Sequence, residues 1–199
     1  MAISIPLGVW SAVKQNTATD YVIRAVSFIG NSLPNFFVSL LLMYLFAIKL
    51  DWFPVISKGV SLQSVALPSL TLAIAMSAKY TRQVRTAVLE ELSSDYVVGA
   101  RARGVKDSKI LWGNVFPNSL LPLITMLGLS IGSLLGGTSV VEVIYSYPGL
   151  GNLAVNAITS ADYFLVQGYV LWVSVIYMVI NLLVDLSYNY VDPRMRLRR

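Results

Sequence analysis

The chain has 199 residues, of which 56% are hydrophobic and only 13% are charged, about half the charged share of a typical soluble domain. This composition predicts that lipid surrounds much of the folded chain. Cysteine and histidine are both absent. Their absence excludes disulfides, His-based triads and thiolate- or imidazole-ligated metals, so we predict no catalytic and no metal-ligating residues.

Four long windows carry no charged residue, and each is long enough for a bilayer-spanning helix of about 20 residues. Backbone polar groups in lipid must be satisfied within the segment, which favours helices over strands. The second window is the least apolar, and its alternative interpretation is a long amphipathic core helix. We predict spans near Phe28–Ile48, Leu62–Tyr80, Asn118–Val141 and Phe164–Tyr188.

The N-terminal segment Met1–Val13 is apolar but too short to span, and it lacks the basic start of a signal peptide. We interpret it as the tail of an earlier helix; the alternative is a short interfacial or buried segment. The predicted fold class is therefore all-α, a polytopic membrane protein with about four complete spans plus that tail. Residues 1–199 are expected to form a single transmembrane domain.

The orientation of the chain follows from its lysines and arginines. Of the 15 basic residues, all but Lys49 and Lys58 fall on one side of the predicted spans. Because basic residues concentrate in cytoplasmic connections, we place Lys79–Lys109 and both termini in the cytoplasm. The segments Asp51–Val60 and Glu142–Asp162 then face outside. The positive charge orients the chain, and no nucleic-acid binding is predicted.

The segment Lys79–Pro117 is too polar to span, and its pattern predicts helices on the cytoplasmic face. Lys79–Leu92 reads as helical, and Ser93 or Ser94 is a suitable N-cap for a short helix over Asp95–Arg103. Gly104 is expected to end that helix. Asp107 is expected to cap the helix that follows.

This region carries a family resemblance. The stretch DYVVGARARGVKDSKILWGNVFPNSLLP, Asp95–Pro122, resembles the cytoplasmic loop of binding-protein-dependent ABC permeases, with the pattern EAA, three residues, Gly, nine residues, Ile-x-Leu-Pro. Gly104 matches the glycine and Asn114–Pro117 match the last four positions. Val98 replaces the glutamate of the pattern. The run DYVVGARARG is similar to DYVRTARAKG of the dipeptide, oligopeptide and nickel branch, which also lacks that glutamate.

Three further stretches resemble the same branch in the order found there: Ile5–Gln15, Leu134–Gly151 and Asn181–Arg196. Together the four cover nearly the whole chain. Members of the branch usually carry a further N-terminal part with a first helix and an external domain. We therefore expect this chain to be shortened at its N-terminus, and to give little transport alone.

The resemblance implies a permease subunit of an ATP-driven importer of a short peptide, nickel or a metal chelate in the bacterial cytoplasmic membrane. It implies as partners a second permease subunit, two ATPase subunits and an external solute-binding protein. ATP and Mg²⁺ would bind the ATPase subunits, because this chain has no phosphate-binding P-loop and is not expected to be an enzyme. The implied coupling residues are Asp95, Tyr96, Gly99, Ala100, Arg101, Ala102, Arg103 and Gly104.

Three sets of residues in the spans are candidates for the translocation path. Asn31, Asn35 and Ser39 recur every four residues, and helix–helix hydrogen bonding is the alternative. Gly128 and Gly132 stand four residues apart, a spacing that favours close helix packing over a pore wall. The third candidate set is Asn181 on the last span.

The segment Glu142–Asp162 contains a tight turn and a predicted short helix over Asn152–Ser160. The resemblance implies that it gates the outer mouth or meets the solute-binding protein. A membrane-embedded enzyme is the alternative from another class, but its spans would need a catalytic cluster, and only Asp185 stands near a span end. A non-transporting scaffold subunit is the remaining alternative.

Overall fold

The computed structural model describes residues 1–57 and 59–191, excluding the side chains of residues 121, 133, 135–137 and 188–191. Lys58 and the C-terminal arginines used for orientation lie outside the described residues. Within the described part every regular element is helical, which confirms the all-α prediction. The elements are α1 (Ser4–Val13), α2 (Ala18–Ser32), α3 (Asn35–Leu42), a π-helical segment (Met43–Lys49), α4 (Leu62–Leu92), α5 (Asp95–Ala102), α6 (Asp107–Ile110), a π-helical turn (Leu111–Val115), α7 (Phe116–Gly137), α8 (Ser139–Ile144), α9 (Leu150–Thr159) and α10 (Tyr163–Val191).

The first predicted span, Phe28–Ile48, is wrong as a single helix. It is broken between α2 and α3, where Pro34 adopts an extended backbone with ψ of 140°. Proline lacks an N–H donor and disfavours the helical conformation of the residue before it, here Leu33. The uncharged window therefore contains the end of one helix and the whole of another.

The remaining predicted spans correspond to helices with shifted bounds. Leu62–Tyr80 and the expected cytoplasmic helix after it form one continuous element, the 31-residue α4. The third span ends earlier than predicted, because α7 stops at Gly137 and α8 begins at Ser139. The last predicted span corresponds to helix α10, and the short helix predicted over Asn152–Ser160 is confirmed as α9.

Two helical stretches of the described chain are long and apolar enough to cross a membrane, Asp107–Gly132 and Tyr163–Ser187. The pair Ala18–Ser32 and Asn35–Lys49 is a third if it is counted as one broken span. The second predicted span is not among them, in line with its many polar side chains. The count of four spans stays a prediction.

The chain separates into two compact units that interleave along the sequence. Unit 1 comprises Met1–Asn31, Ser77–Gly128 and the chain from Leu183 onward, whereas unit 2 comprises Ser32–Met76 and Leu129–Leu182. The core of unit 1 is aliphatic and joins α1, the C-terminal half of α4, α5, α6 and α7. Its buried members are Val9, Ala12, Val84, Val88, Val97, Ile110, Val115 and Leu123.

The core of unit 2 is built around Tyr145, which directly follows α8 and packs with Ala47, Leu67 and Val141. Its hydroxyl donates a hydrogen bond to the carbonyl oxygen of Ser39 (2.9 Å). The same hydroxyl lies 3.2 Å from the Thr71 hydroxyl. A buried tyrosine hydroxyl requires such partners, so these bonds specify how the elements of unit 2 pack.

Candidate functional site

The short helix predicted over Asp95–Arg103 is confirmed as α5, and local backbone geometry defines its ends; its role in coupling stays a prediction. Ser94 has an extended backbone (φ −72°, ψ 148°), as an N-cap requires, although its side chain makes no capping bond. Helical geometry ends at Ala102, so Arg103 is the C-cap residue and lies just outside the helix. Asp107 begins α6 as its first residue, and Lys106 takes the cap position, so the predicted capping role of Asp107 is wrong.

Gly104 ends α5 in the left-handed conformation, with φ of +77°. Its N–H donates to the carbonyl of Arg101 (2.9 Å), and the N–H of Val105 donates to that of Ala100 (3.2 Å). These two bonds form a Schellman motif, which satisfies carbonyls left free at the end of a helix. Val105 and Ala100 both pack on the core of unit 1, which fixes the direction of the chain after the turn.

The side of α5 that faces unit 1 is held at two positions. Val97 is fully buried in the core. The hydroxyl of Tyr96 donates to the Glu91 carboxylate (2.7 Å) and accepts from the Asn118 side-chain amide (3.4 Å). These contacts tie α5 to the end of α4 and the start of α7, so α5 is expected to move as one body with both.

The outer side of α5 has no buried residue, and its side-chain contact is an exposed ion pair between Arg101 and Asp107. Val98 is 59% exposed, whereas its neighbour Val97 is fully buried. The predicted coupling residues divide between the two sides: Tyr96 and Ala100 make contacts inward, and Gly99 is half-buried. The exposed remainder is Asp95, Arg101, Ala102, Arg103 and Gly104.

One ion pair closes the turn after α5. The Arg101 Nε donates to the Asp107 carboxylate over 2.8 Å, and both side chains are well exposed. Exposed pairs of this kind contribute about 0–1 kcal/mol. The pair therefore adds little stability, and Arg101 remains accessible to a partner.

The first predicted polar stripe does not form one helix face, because the break at Pro34 lies inside it. Asn31 is exposed near the end of α2, and Asn35 begins α3. Ser39 is fully buried, and its hydroxyl donates to the carbonyl of Asn35 (2.9 Å). Hydrogen bonding inside unit 2 therefore describes Ser39 better than lining a path.

The two glycines of α7 lie against α10. A Cβ atom at Gly128 would collide with the side chain of Val184, and one at Gly132 would collide with the ring of Tyr177. This geometry favours the packing interpretation of both glycines. Asn181 is half-buried on α10, and its role in a path stays a prediction.

Sequence reasoning missed a buried ion pair in unit 1. Arg85 on α4 makes two hydrogen bonds of 2.7 Å to the carboxylate of Asp20 on α2. Asp20 is fully buried and also accepts from the hydroxyl of Ser11 and the N–H of Asn16. Hydrogen bonding to this carboxylate raises the pKa of Arg85. No local signal joins Asp20 to Arg85, which are distant in sequence.

In the segment Glu142–Asp162, which is predicted to face outside, the carboxylate of Glu142 on α8 connects α8 to α9. It accepts from the hydroxyl of Thr138 (2.8 Å) and from the N–H of Asn152 in the first turn of α9 (2.9 Å). An acidic group is favoured there by the dipole of α9. Gly149 and Gly151 leave room for this close approach, since a Cβ at either would collide with α8.

Comparison with known proteins shows the family to which this chain belongs. Residues 4–197 match the family described as binding-protein-dependent transport system inner membrane component. The match takes in the complete loop from α5 to α7. The chain therefore belongs to this family, as the resemblance in its sequence predicts.

Two relatives of this chain are named for the transport of peptides. The oligopeptide transport system permease protein AppB of Bacillus subtilis is 38% identical over 205 residues, covering 98% of this chain and 64% of that protein. The glutathione transport system permease protein GsiC of Pectobacterium atrosepticum is 38% identical over 190 residues, covering 96% of this chain and 62% of that protein. The chain thus spans less than two thirds of the length of these relatives.

The fold has a counterpart among solved structures. A chain from the inward-facing structures of the MetNI methionine ABC transporter superposes with a TM-score of 0.78 at 17% identity, covering 96% of this chain and 87% of that one. At this level of identity the likeness shows the fold alone. It agrees with the all-helical permease fold expected from the sequence.

Proposed function

We propose that this chain is the permease subunit of an ATP-driven importer and forms part of the path for a short peptide. Its family supports the transport role, and both relatives are named permease proteins. Those names refer to oligopeptides and to glutathione, itself a tripeptide. Nickel or a metal chelate, which the resemblance also implies, has no such support from these two names.

The observation that carries the proposal is the construction of α5. Val97 and the Schellman motif hold its inner side on the core of unit 1, while its outer side presents Val98, Ala102 and Arg103. Arginine and apolar groups are suited to a protein interface. A short helix held in this way transmits a push to α4 and α7 as a rigid body.

The proposed assembly contains a second permease subunit and an external solute-binding protein in the bacterial cytoplasmic membrane. Two ATPase subunits would bind ATP and Mg²⁺ and would dock on the outer side of α5. This chain then converts their motion into opening and closing of the path. An embedded enzyme or a scaffold has less support, because both relatives are named for transport.

Cysteine cross-linking tests the docking surface directly, because the chain has no cysteine of its own. Val98→Cys on α5 is the test variant, and Leu171→Cys in the predicted span α10 is the control; the native side chains are 59% and 64% exposed. With the ATPase subunits present, the cysteine at 98 is expected to cross-link to them and the cysteine at 171 is not. Equal yields at the two positions would contradict the proposal.

The substrate class needs a separate measurement. The chain and its partners, reconstituted in vesicles, are expected to show ATP hydrolysis stimulated by a short peptide or glutathione in the presence of the binding protein. Stimulation by a nickel chelate but not by either peptide would replace the proposed substrate. It would leave the proposed docking surface intact.

A further inference from the structure

Unit 1 contains a cavity whose lining includes none of the residues predicted for coupling or for the translocation path. It has a volume of about 470 Å³ and lies among α1, α2 and α4. Hydroxyls and arginines line it together with aromatic and aliphatic side chains. The lining residues are Ser11, Tyr21, Ile23, Arg24, Ala25, Ser27, Phe28, Thr81, Arg82 and Arg85.

The charge of this cavity is positive. No carboxylate is among the lining residues, and of the three arginines only Arg85 is neutralised, by Asp20 behind it. Arg24 and Arg82 are exposed, and neither forms an ion pair within the described residues. Arg24 lies over the ring of Tyr21, 5.7 Å from its centre, which holds the guanidinium at the side of the cavity.

The cavity also contains hydroxyl groups, which can donate hydrogen bonds to an anionic ligand. Ser27 and Thr81, which both carry a hydroxyl, are nearly buried and line the cavity together with Arg24 and Arg82. Guanidinium and hydroxyl donors together are the groups that bind phosphate oxygens in proteins. The cavity is therefore suited to a phosphate group that carries a net negative charge.

The surface of α2 beside the cavity shows which phosphate compound would fit. Tyr21, Arg24 and Phe28 line the cavity, and the adjacent helix face carries Val22, Val26 and Ile29. These three aliphatic side chains are each about 60% exposed. A free phosphate would make no contact with this apolar face, whereas the acyl chains of a phospholipid would cover it.

We propose that this cavity binds the headgroup of an anionic phospholipid of the cytoplasmic leaflet, with the acyl chains lying along α2. The predicted orientation places Arg24 and Arg82 on the cytoplasmic side, where basic pockets between membrane helices bind anionic headgroups. Because Arg85 lines the cavity and pairs with Asp20 behind it, the lipid would lie beside the contact that joins α2 to α4. This inference does not depend on the proposed transport function.

The test compares two lipids on the full chain purified in neutral detergent, with bound lipid counted by native mass spectrometry. Phosphatidylglycerol is expected to bind more tightly than zwitterionic phosphatidylcholine. Arg24→Gln and Arg82→Gln are each expected to weaken phosphatidylglycerol binding about fivefold, the effect of one basic residue near a lipid surface. Arg82→Lys keeps the charge and is expected to retain most of the binding.

Lys109→Gln is the matched control, because Lys109 is exposed in the same predicted cytoplasmic loop but lies outside the cavity. It is expected to leave phosphatidylglycerol binding unchanged. Equal affinity for the two lipids, or an equal loss in Lys109→Gln and Arg24→Gln, would overturn the proposal. Complete displacement of the lipid by inorganic phosphate would also overturn it and leave a site for a free anion.

Discussion

Arg85 donates hydrogen bonds to both carboxylate oxygens of Asp20, from Nε to Oδ1 and from Nη2 to Oδ2, each over 2.7 Å. The pair joins the C-terminal half of α4 to the first turn of α2, next to the Ser11 hydroxyl on α1. Since α5 follows α4 directly, the pair links the start of the described chain to the element that supports the proposed docking surface.

Removing the Asp20 charge is expected to destabilise unit 1. Asp20→Asn leaves Arg85 without its counter-charge, and the Arg85 side chain is only 16% exposed. Breaking a fully buried pair costs about 3–5 kcal/mol, so we expect roughly 2–3 kcal/mol at this partly exposed one. Thermal unfolding of the purified chain in detergent measures the loss.

The exposed pair formed by Arg101 and Asp107 is the control for that experiment. Asp107→Asn is expected to change the free energy of unfolding by no more than about 1 kcal/mol, because water replaces the lost contact. In a double-mutant cycle, the losses from Asp20→Asn and Arg85→Gln should not add. Additive losses would mean that the two residues act independently.

Gly104→Ala is expected to impair coupling without preventing membrane insertion. A Cβ atom at this position meets no other atom within 4 Å, so its only cost is the left-handed backbone at φ +77°, about 1 kcal/mol. A β-branched side chain in Gly104→Val should increase that strain and tilt α5. We expect peptide-stimulated ATP hydrolysis and ATPase co-purification to fall in the order glycine, alanine, valine.

Gly113→Ala provides the comparison, because a Cβ atom there also meets nothing and the backbone is helical. It is expected to transport at the normal rate. Normal transport by Gly104→Val at normal expression would show that the turn does not couple the chain to its ATPase.

The glycines of α7 are expected to resist enlargement for a steric reason. Gly128→Ala pushes against Val184, and Gly132→Ala pushes against Tyr177. Overpacking of this kind costs about 1–3 kcal/mol. Gly168→Ala on α10, where the added methyl meets nothing, should leave the melting temperature unchanged. If all three variants melt alike, close packing is not the role of the α7 glycines.

The predicted orientation can be tested with two single cysteines in this cysteine-free chain. Ser108 and Ser146 are both exposed, so the accessibility of each cysteine depends on the side of the membrane and not on burial. An impermeant thiol reagent added to intact cells is expected to label Ser146→Cys and to spare Ser108→Cys. Both should react after the membrane is opened. The reverse pattern would invert the topology.

Local signals predict much of this protein correctly. The stop of α5 at Gly104 was predictable because a C-terminal glycine acts through its own backbone, and α10 was predictable from an uninterrupted apolar run. The family could be predicted from the loop residues together with three further stretches in the same order. In the first uncharged window, the sequence contained a helix breaker, Pro34. The absence of charge favoured the prediction of one span, but the chain forms two helices that are separated at Pro34.

The sequence by itself determined that the chain is helical and membrane-embedded, and it placed α5, because hydropathy, charge and helix ends are properties of neighbouring residues. Only the tertiary structure decided which polar groups meet. Asp20 forms an ion pair with Arg85, and Tyr145 donates a hydrogen bond to Ser39. Arg24 and Arg82 line one cavity because the helices that carry them pack together. Such pairings depend on the orientation of whole helices, which no short stretch of sequence specifies.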